Sequence, residues 1–171
     1  MITIKILIRG KRVLMNVSTM TVKVREAVLD DIEDLYIWRN HETTRPMLHN
    51  TEAIEWEEHS KWYSEALQNP DRCSLICYLE DSGTKIGSVS FNIQAETALI
   101  SIIINPKMRG KKLSTTCLLE AIKIFRFRYS MIKVLNAEIK CINDISKKIF
   151  SSVGFRLKRI EDDICFFSLV L

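Results

Sequence analysis

Lys107, Arg109, Lys111 and Lys112 fall within six residues, directly after Pro106 and one residue short of Ser114, where a stretch with helical spacing begins. The run 100–105 ahead of the proline holds four isoleucines and is β-compatible. Strand, cationic turn and helix therefore follow one another without a break. A helix N-terminus leaves backbone N–H groups unpaired, and its dipole and the four cations all favour an anion there, most plausibly a phosphate.

A second group of chemically able residues lies upstream. Trp56, His59, Tyr63 and Leu67 recur at spacings of three and four, which puts them on one face of a helix. Two uses fit His59 at that place: a proton acceptor for a reacting group, or a hydrogen-bonded histidine packed among rings. Trp56, Trp62 and Tyr63 suit either stacking on a sugar or base, or core packing. Trp38, Arg39 and Asn40 end the preceding helical stretch; Arg39 suits a bidentate contact to phosphate or an ion pair with Glu57 or Glu58. Arg45 and Asn50 lie in the polar segment between the two helices.

The elements that must position these groups read as follows. A short strand is expected over 22–27, a helix over 31–39 opened by an Asp30/Glu33 capping pair, and a helix over 54–68. A hairpin over 74–80 and 85–93 turns at 81–84, and a third strand covers 98–105. A helix over 114–127, a strand over 133–139, a helix over 143–152 closed by Gly154, and a last hairpin around 161–163 complete the chain. The fold class is α/β, with a mixed, mostly antiparallel central sheet flanked by helices on both faces.

The 171 residues, 47% hydrophobic and 27% charged, suit a single domain over 21–171, with 1–20 read as an N-terminal extension. The net charge of +4 sits in that extension, since Lys5, Arg9, Lys11 and Arg12 are matched by no acid there and the remainder holds 21 basic and 21 acidic residues. A neutral body argues against a nucleic-acid surface. No apolar run approaches the roughly 20 residues a membrane span needs. Cys73, Cys77, Cys117, Cys141 and Cys165 show no paired metal-ligand spacing and read as reduced thiols, hence a cytoplasmic protein with no metal.

Three motifs carry a resemblance to the GNAT N-acetyltransferase superfamily over residues 21–171. The run Asn105-Pro106-Lys107-Met108-Arg109-Gly110-Lys111-Lys112-Leu113-Ser114 resembles its pyrophosphate loop. Asn143-Asp144-Ile145-Ser146, ending in Val153-Gly154-Phe155, is similar to its Asn-x-x-Ser helix. Trp38-Arg39-Asn40 with Glu57-Glu58-His59 is similar to a branch that includes the amino-sugar nucleotide N-acetyltransferases of pseudaminic acid synthesis, and to the ribosomal-protein branch.

The resemblance implies that acetyl-CoA is held by Ile102, Ile103 and Ile104, by Arg109, Gly110, Lys111, Lys112, Leu113 and Ser114, and by Asn143, Ser146 and Phe150. It implies an acceptor met by Trp38, Arg39, Asn40, Arg45, Asn50, His59 and Trp62, with His59 the candidate catalytic group. The expected activity is direct acetyl transfer to a primary amine, foremost of a nucleotide-linked amino sugar. Acetylation of a protein N-terminus, or coenzyme A binding without catalysis, are the alternatives, and homodimer formation is left open. Two departures stand out. Lys112 and Ser114 replace residues that are small in the family, and Phe150 stands where many members carry a proton-donating tyrosine. A phenyl ring donates no proton.

Overall fold

The structure, a computed structural model, describes residues 20–171 in full and the backbone of 2–8 and 11–17. Strands β1 (Ile2–Ile8) and β2 (Lys11–Val17) pair antiparallel as a separate two-stranded sheet. A seven-stranded sheet organises the rest, in the order β3 (Val22–Glu26), β4 (Arg72–Leu79), β5 (Lys85–Gln94), β6 (Thr97–Ile104), β7 (Val134–Lys140), β9 (Ile164–Val170), β8 (Arg156–Glu161). Helices α1 (Ile32–Asn40), α2 (Trp56–Gln68), α3 (Ser114–Arg128) and α4 (Asp144–Ser152) flank it. All pairs are antiparallel except β6 and β7, which α3 joins as a crossover.

Alternation divides the central strands into two unlike faces. Leu75, Cys77, Val89, Phe91 and Ile100 point one way and are fully or almost fully buried. They meet Cys117, Leu118, Ala121, Ile122 and Phe125 of α3 in one core, with Phe125 stacked on Phe91 at 4.0 Å between centroids. The opposite face of the same strands presents Arg72, Ser74, Ser88, Ser90, Asn92 and Ser101, and α1 and α2 lie over it.

Helix α1 begins differently from the expected Asp30/Glu33 pair. A 3-10 turn, Leu29–Asp31, precedes it, and Asp31 accepts the Val28 N–H at 2.9 Å. The Asp31 side chain is fully buried, takes two bonds from Arg25 at 2.7 Å, and pairs with Lys85 at 2.6 Å. These cations and the Val28 amide hold its carboxyl well below the usual carboxylate range against the cost of burial. One acid thus ties β3, the start of α1 and β5 together.

The cysteine expectation needs correcting. Cys141 and Cys165 form a disulfide, their Cα atoms 5.5 Å apart, while Cys73, Cys77 and Cys117 are free and buried. Ile139 pairs with Cys165 across β7 and β9, and the Cys141 amide donates to Asp163, so the register brings together cysteines 24 residues apart. The cytoplasmic expectation, which rested on five reduced thiols, loses that support. No helix among the described residues is long and apolar enough to cross a membrane.

Candidate active site

The turn after β6 is built to leave amides free. Asn105 ends the strand: its Oδ1 accepts from Lys107 N at 3.0 Å and its Nδ2 donates to Lys85 O at 3.1 Å. Met108 and Leu113 are buried and pin both ends of the turn in the core. Between them Gly110 and Lys112 take positive φ, +77° and +59°. Lys112 thus adopts the left-handed conformation that its sequence position demands, at the modest cost a side chain incurs there. Leu113, as N-cap of α3, offers no side-chain acceptor, and the first turn holds no acid. The leading amides of α3 therefore remain available to an anion.

Arg109 departs from expectation. Its guanidinium donates to the hydroxyls of Thr43 and Thr44, and its Nε to Ile104 O at 3.3 Å. The side chain fastens the segment between α1 and α2 to the turn, and burial pushes its pKa down. Lys111 is held more loosely, its Nζ reaching Met108 Sδ at 3.4 Å.

Beside this turn the sheet opens. Strand β6 pairs with β7 only at Thr97, Ala98 and Leu99, opposite Val134, Leu135 and Asn136. From Ile100 to Ile104, β6 keeps its β5 partner and has no strand on its other side among the described residues. Ile102 and Ile104 pack towards the core, while Ile103 faces the opposite side of the sheet. Across the gap, Asn143 caps α4 by accepting from Ser146 N at 3.1 Å, which makes Ser146 a helix-start partner. Phe150 is not presented to the gap: it is 3% exposed and meets Phe155 edge to face at 5.0 Å. Thr115 and Ser152 touch at 3.3 Å, so the start of α3 lies against the end of α4.

On the polar face a cavity of about 300 Å³ is enclosed by α1, α2 and the sheet. Its floor is a register grid: Arg72 opposite Asn92, then Ser74, Ser90 and Ser101 in one row, then Ile76, Ser88 and Ile103 in the next. Ser90 and Ser101 share a hydrogen bond of 2.9 Å. Leu35, Arg39, Glu58, His59, Trp62 and Tyr63 make the walls. Ile103 belongs both to this cavity and to the unpaired stretch of β6, so the two regions meet there.

A family model for the acetyltransferase (GNAT) domain matches residues 22–156, and the opened β6–β7 pair beside an uncapped helix start falls inside that span. The chain belongs to the GNAT acetyltransferase family. Among solved structures it is similar to a domain from Methanocaldococcus jannaschii (TM-score 0.77, 24% identity, 88% of this chain and 99% of that one). It is similar also to the spermidine N-acetyltransferase of Vibrio cholerae in complex with CoA and spermine (0.77, 15%, 87% and 95%). A third is an aminoglycoside acetyltransferase in complex with coenzyme A (0.74, 15%, 88% and 95%). No curated protein matches the sequence.

As a GNAT acetyltransferase the protein uses acetyl-CoA, and its residues fit that cofactor: free amides at the start of α3 and the open edge of β6 are what a diphosphate and a pantetheine arm require. The expected acceptor residues divide. Trp62 and His59 line the cavity, but His59 is 2% exposed, donates from Nε2 to Ile32 O at 3.1 Å, and keeps Nδ1 sealed without a partner. Burial lowers its pKa, and the ring packs among Tyr36, Trp56, Trp62 and Tyr63, which is the second of the two uses its place on the aromatic stripe allows. Trp38 is core, 3% exposed. Asn40 donates to Ile54 O at 2.8 Å and accepts from Ile54 N at 3.0 Å. Arg39 lines the cavity while donating to the carbonyls of Asn50 and Glu52, and the charge of Glu58 acts on it without a direct ion pair among the described residues. Asn50 accepts from Glu52 N, and neither it nor Arg45 lines the cavity. Trp38, Asn40 and Asn50 thus lie outside the lining of the cavity. Sequence reading missed Arg72, Glu58 as a lining acid, and the serine rows; their alternation along three strands was the available signal.

Proposed function

We propose that this acetyltransferase transfers an acetyl group directly to the primary amine of an amino sugar. The observation that carries this reading is the floor of the cavity, where Ser74, Ser88, Ser90 and Ser101 set four hydroxyls against the acceptor, next to the cofactor edge at Ile103. Short hydroxyls that donate and accept suit a ring bearing hydroxyls of its own. A volume of about 300 Å³ is at the low end for small-molecule sites, so a nucleotide-linked form would seat its sugar inside and its nucleotide at the mouth.

Bound acetyl-CoA supplies an acetyl group activated as a thioester. The chain's own residues do the rest. The α3 amides and Lys112 would hold the anionic end of the cofactor, and the Ile100 to Ile104 edge would align its arm. The serine floor holds the sugar so that its amine lies by Ile103. Glu58, a carboxylate on the wall within the field of Arg39, takes the amine's proton directly or through water. Direct transfer is supported by the placement of Cys73, Cys77 and Cys117 in the core, away from the cavity, so that no thiol among them is offered as an acetyl carrier. A thiolate whose conjugate acid has a pKa of about 8.5 would be a tolerable leaving group as the C–S bond breaks, and water would supply its proton where Phe150 cannot.

The test is release of free thiol from acetyl-CoA against panels of nucleotide amino sugars, free hexosamines, polyamines and peptides. The highest kcat/KM is expected for an amino sugar. Faster turnover of a polyamine or a peptide would sink the reading.

A further inference from the structure

Arg72 opens β4 on the cavity face. Its Nη1 donates to Asn92 Oδ1 at 2.9 Å, its Nε reaches Ser74 Oγ at 3.4 Å, and its guanidinium lies over the Trp62 ring at 4.8 Å. These contacts fix the plane of the group and leave Nη2 without a partner among the described residues. None of them neutralises it: no carboxylate among the described residues pairs with Arg72, whereas Arg39, also lining the cavity, feels the charge of Glu58. Glu58 is the one acid lining the cavity, against two guanidiniums. Burial pushes the pKa of Arg72 down, yet a guanidinium stays charged. A half-buried, oriented cation lacking an anion is costly unless something else supplies one.

We propose that Arg72 is the specificity determinant of the acceptor site and receives an oxyanion, phosphate or carboxylate, carried by the same molecule whose amine is acetylated. The inference rests on the amino-sugar reading and deepens it. The row of Arg72 and Asn92 lies four residues along the strands from the row of Ser88 and Ile103, about 13 Å at the usual rise. With an arginine side chain reaching inward over part of that span, one sugar ring fits between anion and amine. A phosphate on the sugar, as in a sugar phosphate or a nucleotide-linked sugar, meets the description. A polyamine does not, since it would bring more positive charge to a wall already cationic.

Two measurements on the whole protein test this, with coenzyme A or acetyl-CoA present throughout so that added anions cannot occupy the cofactor turn. In turnover, glucosamine is compared with glucosamine 1-phosphate and 6-phosphate, and amino acids with their carboxamides. The anionic member of each responsive pair is expected to be preferred. In Arg72→Gln that preference should shrink about 10- to 100-fold, the loss expected for a charge-assisted contact, and Arg72→Lys should retain part of it. In binding, which needs no amine, glucose 1-phosphate should protect the wild type from thermal unfolding better than glucose, and Arg72→Gln should lose the difference. Protection by the phosphate without acetylation of any sugar would overturn the amino-sugar reading and leave the anion site standing. Acetylation of sugars with no advantage for the anion, or an advantage that Arg72→Gln leaves intact, would overturn the anion site. Equal protection by glucose and its phosphate in the wild type would overturn it as well.

Discussion

Asp31→Asn is the most informative single change outside the cavity. Asparagine keeps the volume and can still accept from Val28, but it turns an amide towards Arg25 and Lys85 where a carboxylate had balanced both. Removing one member of a buried charge cluster costs about 3–5 kcal/mol. Arg25 and Lys85 keep 38% and 27% of their side chains exposed, so water relieves part of the loss and about 3 kcal/mol is expected. At roughly 2–4 °C per kcal/mol for a chain of this size, the melting temperature at pH 7 should fall by about 6–12 °C. The pH dependence has a definite sign. The folded carboxyl titrates below its unfolded counterpart, whose pKa is about 3.9, so the unfolded chain binds the proton more readily. The stabilisation is fully present above that value and disappears as the pH falls towards the folded pKa. Thermal melts followed by circular dichroism from pH 7 to pH 3 should show the gap between wild type and Asp31→Asn widest at neutrality and closing below about pH 4. A drop of under 2 °C at pH 7, or a gap that does not narrow in acid, would refute the assignment of Asp31 as the charged link between β3, α1 and β5.

Two further changes probe the cofactor side. Lys112→Gly removes a side chain from φ +59° and should leave the melting temperature level or slightly raised, since the relief of about 1–2 kcal/mol offsets glycine's entropic cost of about 0.5–1. Its affinity for acetyl-CoA by calorimetry should nevertheless weaken several-fold as a cation leaves the turn, and a fall of more than 3 °C in melting would contradict the left-handed assignment. In Gly87→Ala the new Cβ would lie 2.4 Å from the Ile103 carbonyl oxygen and 3.0 Å from the Ile104 Cα, backbone atoms both. Strand β6 must shift where it borders the gap, so KM for acetyl-CoA should rise more than KM for the amine; an unchanged KM for acetyl-CoA would show that this stretch does not align the cofactor.

Much of the frame was legible because local rules wrote it. Hydrophobic alternation marks β4, β5 and β6, Pro106 and Gly110 mark the turn, and Asn143 with Ser146 marks a capped helix. What stayed hidden depends on contacts between distant segments. Asp31 sits in a pair of aspartates that reads as a solvated helix start, and only the fold brings Arg25 and Lys85 to it. Arg72 follows Asp71 at a strand entrance and reads as a surface charge. The serines at alternate positions look like the wet face of a half-exposed sheet, until α1 and α2 are placed over them. His59 stayed open between two uses for the same reason, because a histidine on an aromatic stripe has the composition of a site and the burial of a core residue. Cys141 and Cys165 meet only through the β7–β9 register.

The two unlike faces of β4, β5 and β6 bear on how this protein can change over generations. Adjacent positions on one strand answer to different demands: Leu75, Val89 and Ile100 keep the chain folded, whereas Ser74, Ser90 and Ser101, each next door, line the cavity. Mutational drift at the second set therefore leaves the interior untouched, so a lineage carrying this sheet can explore new amines one residue at a time without passing through unfolded ancestors.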